Sequence, residues 1–322
     1  MAPIDQVQLN FNPTTLGALN VVLGLVMFGV ALDLKVADFS SALKTPKGIA
    51  LGLVGHHILF PAMTWCLVWI LKPTPSIGLG MILVSSCPAG HISNFLTHYA
   101  RGSAALSVSV SALSSLAALV MTPLNFTFWG NLNPVTRALM REIAVSPAEM
   151  LQVIVLLLGV PLGLGLWVSH RYPRFAAKAQ KPMKIFSLLV LAGFIVGALG
   201  ANFRYFAEYI GFVFFVVLVH NFLALGSGYL FSTLLRLHER DRRAITFEMG
   251  IQNSGLGLIL IFDFFKGLGG MAIVTAWWGV WHIVAGMTLA SFWRRRDPLR
   301  RTRHDAADMI DSTTGKIGRG NV

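Results

Sequence analysis

Nine stretches of this chain are apolar over the length of a membrane crossing, and that repetition limits the fold more than any other feature. They run over residues 14–33, 47–71, 76–99, 103–127, 149–168, 184–200, 207–235, 243–262 and 270–292. A helix needs about 20 mostly apolar residues to cross the hydrocarbon core, whereas an outer-membrane barrel is written as ten-residue alternating segments. Only 12% of the residues are charged and 55% are hydrophobic, against roughly 25% charged in soluble domains. The expectation is an all-α integral membrane protein with nine transmembrane helices. Cys66 and Cys87 both lie inside apolar runs, which argues against a disulfide framework. The N-terminus has no Lys or Arg before Lys35 and so lacks the basic n-region of a secretory signal peptide.

The net charge of +12 raises the question of nucleic acid, but the basic residues are placed for a membrane. Loops on one side of the nine spans, with the tail after Trp293, hold twenty-one Lys and Arg; the other side holds five. Cytoplasmic loops carry the excess of positive charge, so the N-terminus is expected outside and the C-terminus inside a cell membrane. An odd number of spans meets that requirement. The basic tail, 293–322, is expected at anionic lipid headgroups. Asp33 beside Lys35 and Asp263 beside Lys266 read as interfacial.

Two spans depart from plain Leu, Val, Ile and Phe. Span 76–99 has Pro88 and Gly90 at its middle, followed by His91, Ser93 and Asn94. Span 243–262 places Gly250, Gly255 and Gly257 around Gln252, Asn253 and Ser254. Proline removes an amide donor and glycine permits non-helical dihedrals, so both helices are expected to break. Non-helical backbone at membrane depth is tolerated only inside protein or against an aqueous cavity. Each broken span follows a histidine-bearing span and precedes one ordinary span. This spacing predicts two repeats of opposite orientation, and paired broken helices in inverted repeats point to a transport site.

Glu248, in "ITFEMGIQNSGLGLILIF", is the sharpest feature. A charge near the bilayer centre costs about 2.5 kcal/mol or more, and a bound cation offsets that cost. Sodium is a hard cation suited to oxygen ligands. Oxygen is available from Glu248, from the amides of Asn94 and Gln252, and from the hydroxyls of Ser93, Ser107 and Ser111. Ser107 and Ser111 are four apart and share a helix face. Other readings stay open: Glu248 protonated or paired with Arg242 or Arg243, and the serines as helix-packing residues. Six histidines (His56, His57, His91, His98, His220 and His282) fall within the spans, which makes proton handling or anion contact worth weighing. No pair has the company of ligands that a zinc site needs.

Together, "SSCPAGHISNFLTHYARGSAALSVSVSALSSLAALVMTPL" and "FEMGIQNSGLGLIL" resemble the bile acid:sodium symporter family, and "LVMFGVALDLKVADF" and "VWHIVAG" extend the likeness from about Gly24 to Ala290. The resemblance implies two inverted repeats arranged as a panel and a core, with the two discontinuous helices crossing in the core. The panel would take 14–33 and 149–200, and the core 47–127 as first repeat and 207–292 as second. The resemblance also implies a first sodium at Ser93, Asn94, Ser107, Ser111 and Glu248, and a second at Glu248, Gln252 and the backbone oxygens of Met249 and Ile251. A glutamine usually completes the second site; His56 stands in its place here. Imidazole is a poor sodium ligand, so coupling by protons through Glu248 and His56 is the alternative. His91, Asn253 and His282 are the expected contacts for an organic anion such as a bile acid, pantoate or a keto acid. The implied function is sodium-coupled symport of that anion. A reading from another class, an intramembrane hydrolase, requires Ser227 and His282 to meet as nucleophile and base.

Overall fold

The computed structural model describes residues 4–6, 13–32, 46–143, 146–201, 203–296 and 298. Asp33, Lys35 and Lys44, and the basic tail after residue 298, lie outside the described residues. After a short turn at Ile4–Gln6 come α1 (Pro13–Ala31), α2 (Pro46–Leu71), α3 (Pro75–Ser86) and α4 (Ile92–Tyr99). Then follow α5 (Ala104–Leu132), α6 (Arg137–Ile143), α7 (Pro147–Arg171) and α8 (Pro173–Ala201). The chain continues through α9 (Phe203–Leu234), α10 (Glu239–Gly250), α11 (Ser254–Phe265) and α12 (Gly269–Arg294). Five of these helices begin on a proline, where the missing amide would have had no helical partner anyway.

Among the described residues, five helices are long and apolar enough to cross a membrane: α2, α5, α7, α9 from Ala207, and α12. Their outer faces carry exposed Ile58, Leu116, Leu156, Phe222 and Val284, a surface suited to hydrocarbon rather than water. The expected spans 76–99 and 243–262 are each two helices, α3 with α4 and α10 with α11. Neither half is long enough to cross alone. α10 also starts lower than expected, at Glu239 rather than 243, and the short α6 was not expected at all. Two π turns, Gly55–Leu59 in α2 and Val155–Gly159 in α7, sit just before Pro61 and Pro161. A proline clashes with the carbonyl four residues back. In α2 that carbonyl belongs to His57, and it turns aside to accept from Asn125 Nδ2 at 2.8 Å.

The broken helices lie inside the bundle. Every residue of α3 from Ser76 to Ser86 is buried, as is α10 from Arg243 to Gly250. α3 packs on α2, α5 and α12, while α10 packs on α9 and α11 on α12. α1 packs on α7 and α8 and touches the buried helices through α11. Asn20 of α1 reaches Asp263 of α11, with Nδ2 3.4 Å from Oδ2.

At the two breaks the backbone pairs with itself. Ala89 and Gln252 form an isolated antiparallel bridge, flanked by Gly90 N–H donating to Ile251 O and Asn253 N–H to Pro88 O, both at 2.9 Å. A Cβ on Gly90 would stand 2.8 Å from Gln252 O, so glycine alone lets the strands approach. Gly90→Val is expected to lower thermal stability by about 1–3 kcal/mol, the usual cost of overpacking. Melting of the detergent-purified variant against wild type checks this; an unchanged melting temperature would contradict it.

Candidate functional site

The crossing breaks bring four helix ends to one place. α3 and α10 arrive with their C-terminal carbonyls; α4 and α11 depart with their N-terminal amides. Carbonyl ends carry partial negative charge that suits cations, and amide ends carry partial positive charge that suits anions. One junction therefore offers both kinds of attraction within a few residues of chain.

Glu248, on the last turn of α10, is fully buried. Its carboxylate accepts three hydroxyl hydrogen bonds: Ser93 Oγ to Oε1 at 2.7 Å, Ser107 Oγ to Oε1 at 2.5 Å and Ser111 Oγ to Oε2 at 2.7 Å. Asn94 Oδ1 lies 2.8 Å from Ser107 Oγ and 3.3 Å from Ser111 Oγ. All five residues expected at the first sodium site thus meet, contributed by α4, α5 and α10. The two serines one turn apart on α5 face the acid, so they do more than pack helices.

The pairing of Glu248 with Arg242 or Arg243 is not what forms. α10 begins low enough to include Glu239, and that residue takes both arginines: Arg243 Nε at 3.1 Å and Arg242 at 3.9 Å. Arg243, buried, also donates to Ala100 O and Trp293 O, tying the lower end of α10 to α4 and α12. Glu248 is left among hydroxyls and an amide oxygen, a buried cluster of oxygens. Among the described residues no group of three His, Cys, Asp or Glu is arranged for a metal; the atoms around the Glu248 carboxylate are oxygens, the donor type that suits hard cations.

The backbone oxygens expected around a second cation accept hydrogen bonds, while the Gln252 side-chain oxygen is buried without a partner. Gln252 Nε2 donates to Met249 O at 2.8 Å, and Ile251 O accepts from Gly90. His56, wholly buried in the π turn of α2, sets Nδ1 3.0 Å from Glu248 O and Nε2 2.9 Å from Cys87 O. One imidazole thereby bridges the C-terminal ends of α3 and α10.

The expected anion contacts are placed less closely. His91 forms the N-terminal boundary of α4 and Asn253 caps α11, its Oδ1 accepting from Leu256 N–H at 3.1 Å. Asn253 Nδ2 also points to Met27 Sδ of α1 at 3.7 Å. The second half of the first broken helix begins at Ile92, two residues earlier than Asn94, so Asn94 is free to serve the oxygen cluster. His282 is buried on α12. Ser227 donates back to Ala224 O at 3.1 Å, and no Ser227–His282 pair forms among the described residues. The other span histidines support packing: His57 meets Ser114 Oγ at 3.1 Å, and His220 meets Thr64 Oγ1 at 2.8 Å while stacking on Phe60.

Two side chains that sequence reasoning passed over hold the break open. Asn221 Nδ2 donates to Gly250 O at 2.8 Å and Thr122 Oγ1 to Ser86 O at 2.7 Å, securing the last carbonyls of α10 and α3. A buried polar residue next to a histidine in "VHNFLALG" was the available signal for Asn221.

The sequence pattern described as the Sodium Bile acid symporter family matches residues 20–209. A protein of Bacillus subtilis (strain 168) named "Uncharacterized sodium-dependent transporter YocS" is 30% identical over 86% of this chain and 83% of its own. The Arabidopsis thaliana protein named "Probable sodium/metabolite cotransporter BASS1, chloroplastic" is 29% identical over 89% of this chain and 69% of its own. A mouse "Sodium-dependent organic anion transporter" is 26% identical over 90% and 78%.

Removing one hydroxyl from the cluster leaves a buried acceptor short of a donor, worth about 1–3 kcal/mol. Ser107→Ala is expected to destabilise the protein by that amount when Glu248 is present, and by clearly less in a Glu248→Gln background. A double-mutant cycle read by thermal melting measures the coupling; additive effects would show that the serine does not serve the carboxylate.

Proposed function

Because the chain belongs to the sodium bile acid symporter family, we propose that it is a secondary active transporter that couples sodium entry to symport of an organic anion by alternating access. It is a multi-pass membrane transporter rather than an enzyme. The observation that carries the sodium reading is the convergence of Ser93, Asn94, Ser107 and Ser111 on the buried carboxylate of Glu248. Sodium at this cluster replaces the hydroxyl hydrogens as the partner of the charge. It is a co-substrate that binds, lowers the cost of the buried acid, and leaves on the other side.

The anion is assigned to the N-terminal ends of α4 and α11, whose partial positive charge suits it, with His91 and Asn253 at those ends and His282 on the neighbouring α12. Sodium beside an anion at one junction makes each ligand favour the other, which is the coupling that symport needs. In this reading α1, α7 and α8 form the panel and the remaining membrane helices the core. Nine crossings, with the broken pairs counted once each, place the N-terminus outside and the C-terminus in the cytoplasm of a cell membrane. The contacts of α1 with α11, at Asn20–Asp263 and Met27–Asn253, then lie between panel and core and change as the two move.

Proteoliposomes loaded without sodium test the reading against a panel of bile acids, pantoate and keto acids. An inward sodium gradient is expected to drive uptake of at least one of them where choline does not. Glu248→Gln removes a charged ligand worth about 1.5–3 kcal/mol, so sodium-driven uptake is expected to fall roughly 10- to 100-fold. Uptake driven by a pH gradient with no sodium present would replace this reading with proton coupling through Glu248 and His56.

A further inference from the structure

We infer that the crossover binds one coupling sodium rather than two, because the His56 imidazole fills the position a second cation would take. The inference rests on the sodium reading proposed for Glu248 and concerns how many ions that junction holds.

The oxygens that decide this are the carbonyls at the end of α10. A helix leaves its last four carbonyls without intrahelical partners, and such a run of oxygens facing a buried space is a natural second place for a cation. Here Met249 O, Gly250 O and Ile251 O each accept a hydrogen bond from the protein, and Glu248 O abuts the His56 ring. Glu248 O faces His56 Nδ1 at 3.0 Å and Met249 O takes Gln252 Nε2 at 2.8 Å. Gly250 O takes Asn221 Nδ2 at 2.8 Å and Ile251 O takes the amide of Gly90 at 2.9 Å. At the matching end of α3, Ser86 O accepts from Thr122 Oγ1 at 2.7 Å and Cys87 O lies 2.9 Å from His56 Nε2.

His56 is the piece that joins the two ends. Two helix C-termini point partial negative charge at one another across it, a setting that calls for a positive or hydrogen-donating group between them. The ring fills the space between them from a wholly buried position in the π turn of α2, donating from one nitrogen when neutral and from both only as the imidazolium. The remaining free oxygen in this run is Gln252 Oε1, buried and without a hydrogen-bond partner. One amide oxygen does not make a site for a hard cation that wants several oxygens. The Glu248 carboxylate cluster lies on the other side of that residue, toward α4 and α5, and loses nothing to His56.

The consequence is a substitution that adds an ion. Glutamine at position 56 removes the bridging ring, releases Glu248 O and Cys87 O, and brings an amide oxygen to the same space as Gln252 Oε1. His56→Leu removes the ring and adds no oxygen.

Equilibrium binding of radioactive sodium to the purified protein in detergent tests the inference, with wild type, His56→Gln, His56→Leu and Glu248→Ala compared. Wild type is expected to bind about one sodium per chain with a Hill coefficient near 1, and His56→Gln about two with a Hill coefficient above 1. His56→Leu is expected to gain none. About two sodium ions in wild type would overturn the inference, as would a His56→Gln variant that melts like wild type in choline yet still binds one. If His56→Gln does not fold, the wild-type stoichiometry decides by itself. A wild type that binds no sodium, or a folded Glu248→Ala that binds as wild type does, overturns the underlying sodium reading instead, and the two failures are told apart.

Discussion

Two backbone hydrogen bonds, Gly90 N–H to Ile251 O and Asn253 N–H to Pro88 O, make the rest of the molecule possible. A helix interrupted in the middle of a bilayer exposes amides and carbonyls that lipid cannot satisfy, at several kcal/mol for each group left bare. Here two interrupted helices cross and each supplies what the other lacks. The remaining carbonyls are closed by side chains from three neighbouring helices: His56 from α2, Thr122 from α5 and Asn221 from α9. That closure is why the long helices surround the short ones, and why α3 and α10 are buried along nearly their whole lengths.

The crossing sorts charge by geometry. Two carbonyl ends and two amide ends meet at the junction, dipoles that in the proposed function suit a cation and an anion. The arginines nearest in sequence to Glu248 are removed from the site by Glu239, which holds Arg243 at the lower end of α10. Glu248 is thereby left with hydroxyls and one amide oxygen, partners that stabilise the charge without cancelling it. A fixed arginine would have neutralised the carboxylate for good; oxygen ligands leave it available to an ion that comes and goes.

The two breaks were legible because proline and glycine act locally: Pro88 and Gly90, and Gly250, mark the ends of α3 and α10 within a residue or two. The Glu248 cluster was legible because acids and serine pairs are rare enough in apolar spans to be matched by chemistry alone. Other features depended on distance in three dimensions. His56 lies in a span whose period says nothing of which carbonyls its ring will face, and Asn221 and Thr122 act on backbone atoms many residues away. The Glu239–Arg243 pair was hidden by a boundary placed four residues too high, since the charged first turn of α10 does not look like membrane helix although Glu239 and Arg243 are both buried. The π turns ahead of Pro61 and Pro161 follow from a proline clash, but a kink relieves the same clash, and only packing chooses between them.

In the function proposed, the buried carboxylate of Glu248 exists to hold a sodium ion. Thermal unfolding of the purified protein in sodium chloride and in choline chloride at equal ionic strength measures this without any knowledge of the anion. An ion that binds only the folded state stabilises it by mass action, by about 1.4 kcal/mol when its concentration is about ten times Kd. The account predicts a higher melting temperature in sodium for wild type and no difference between the salts for Glu248→Ala. A wild type that melts at the same temperature in both salts at molar sodium, or a Glu248→Ala variant that keeps the full sodium shift, would contradict it.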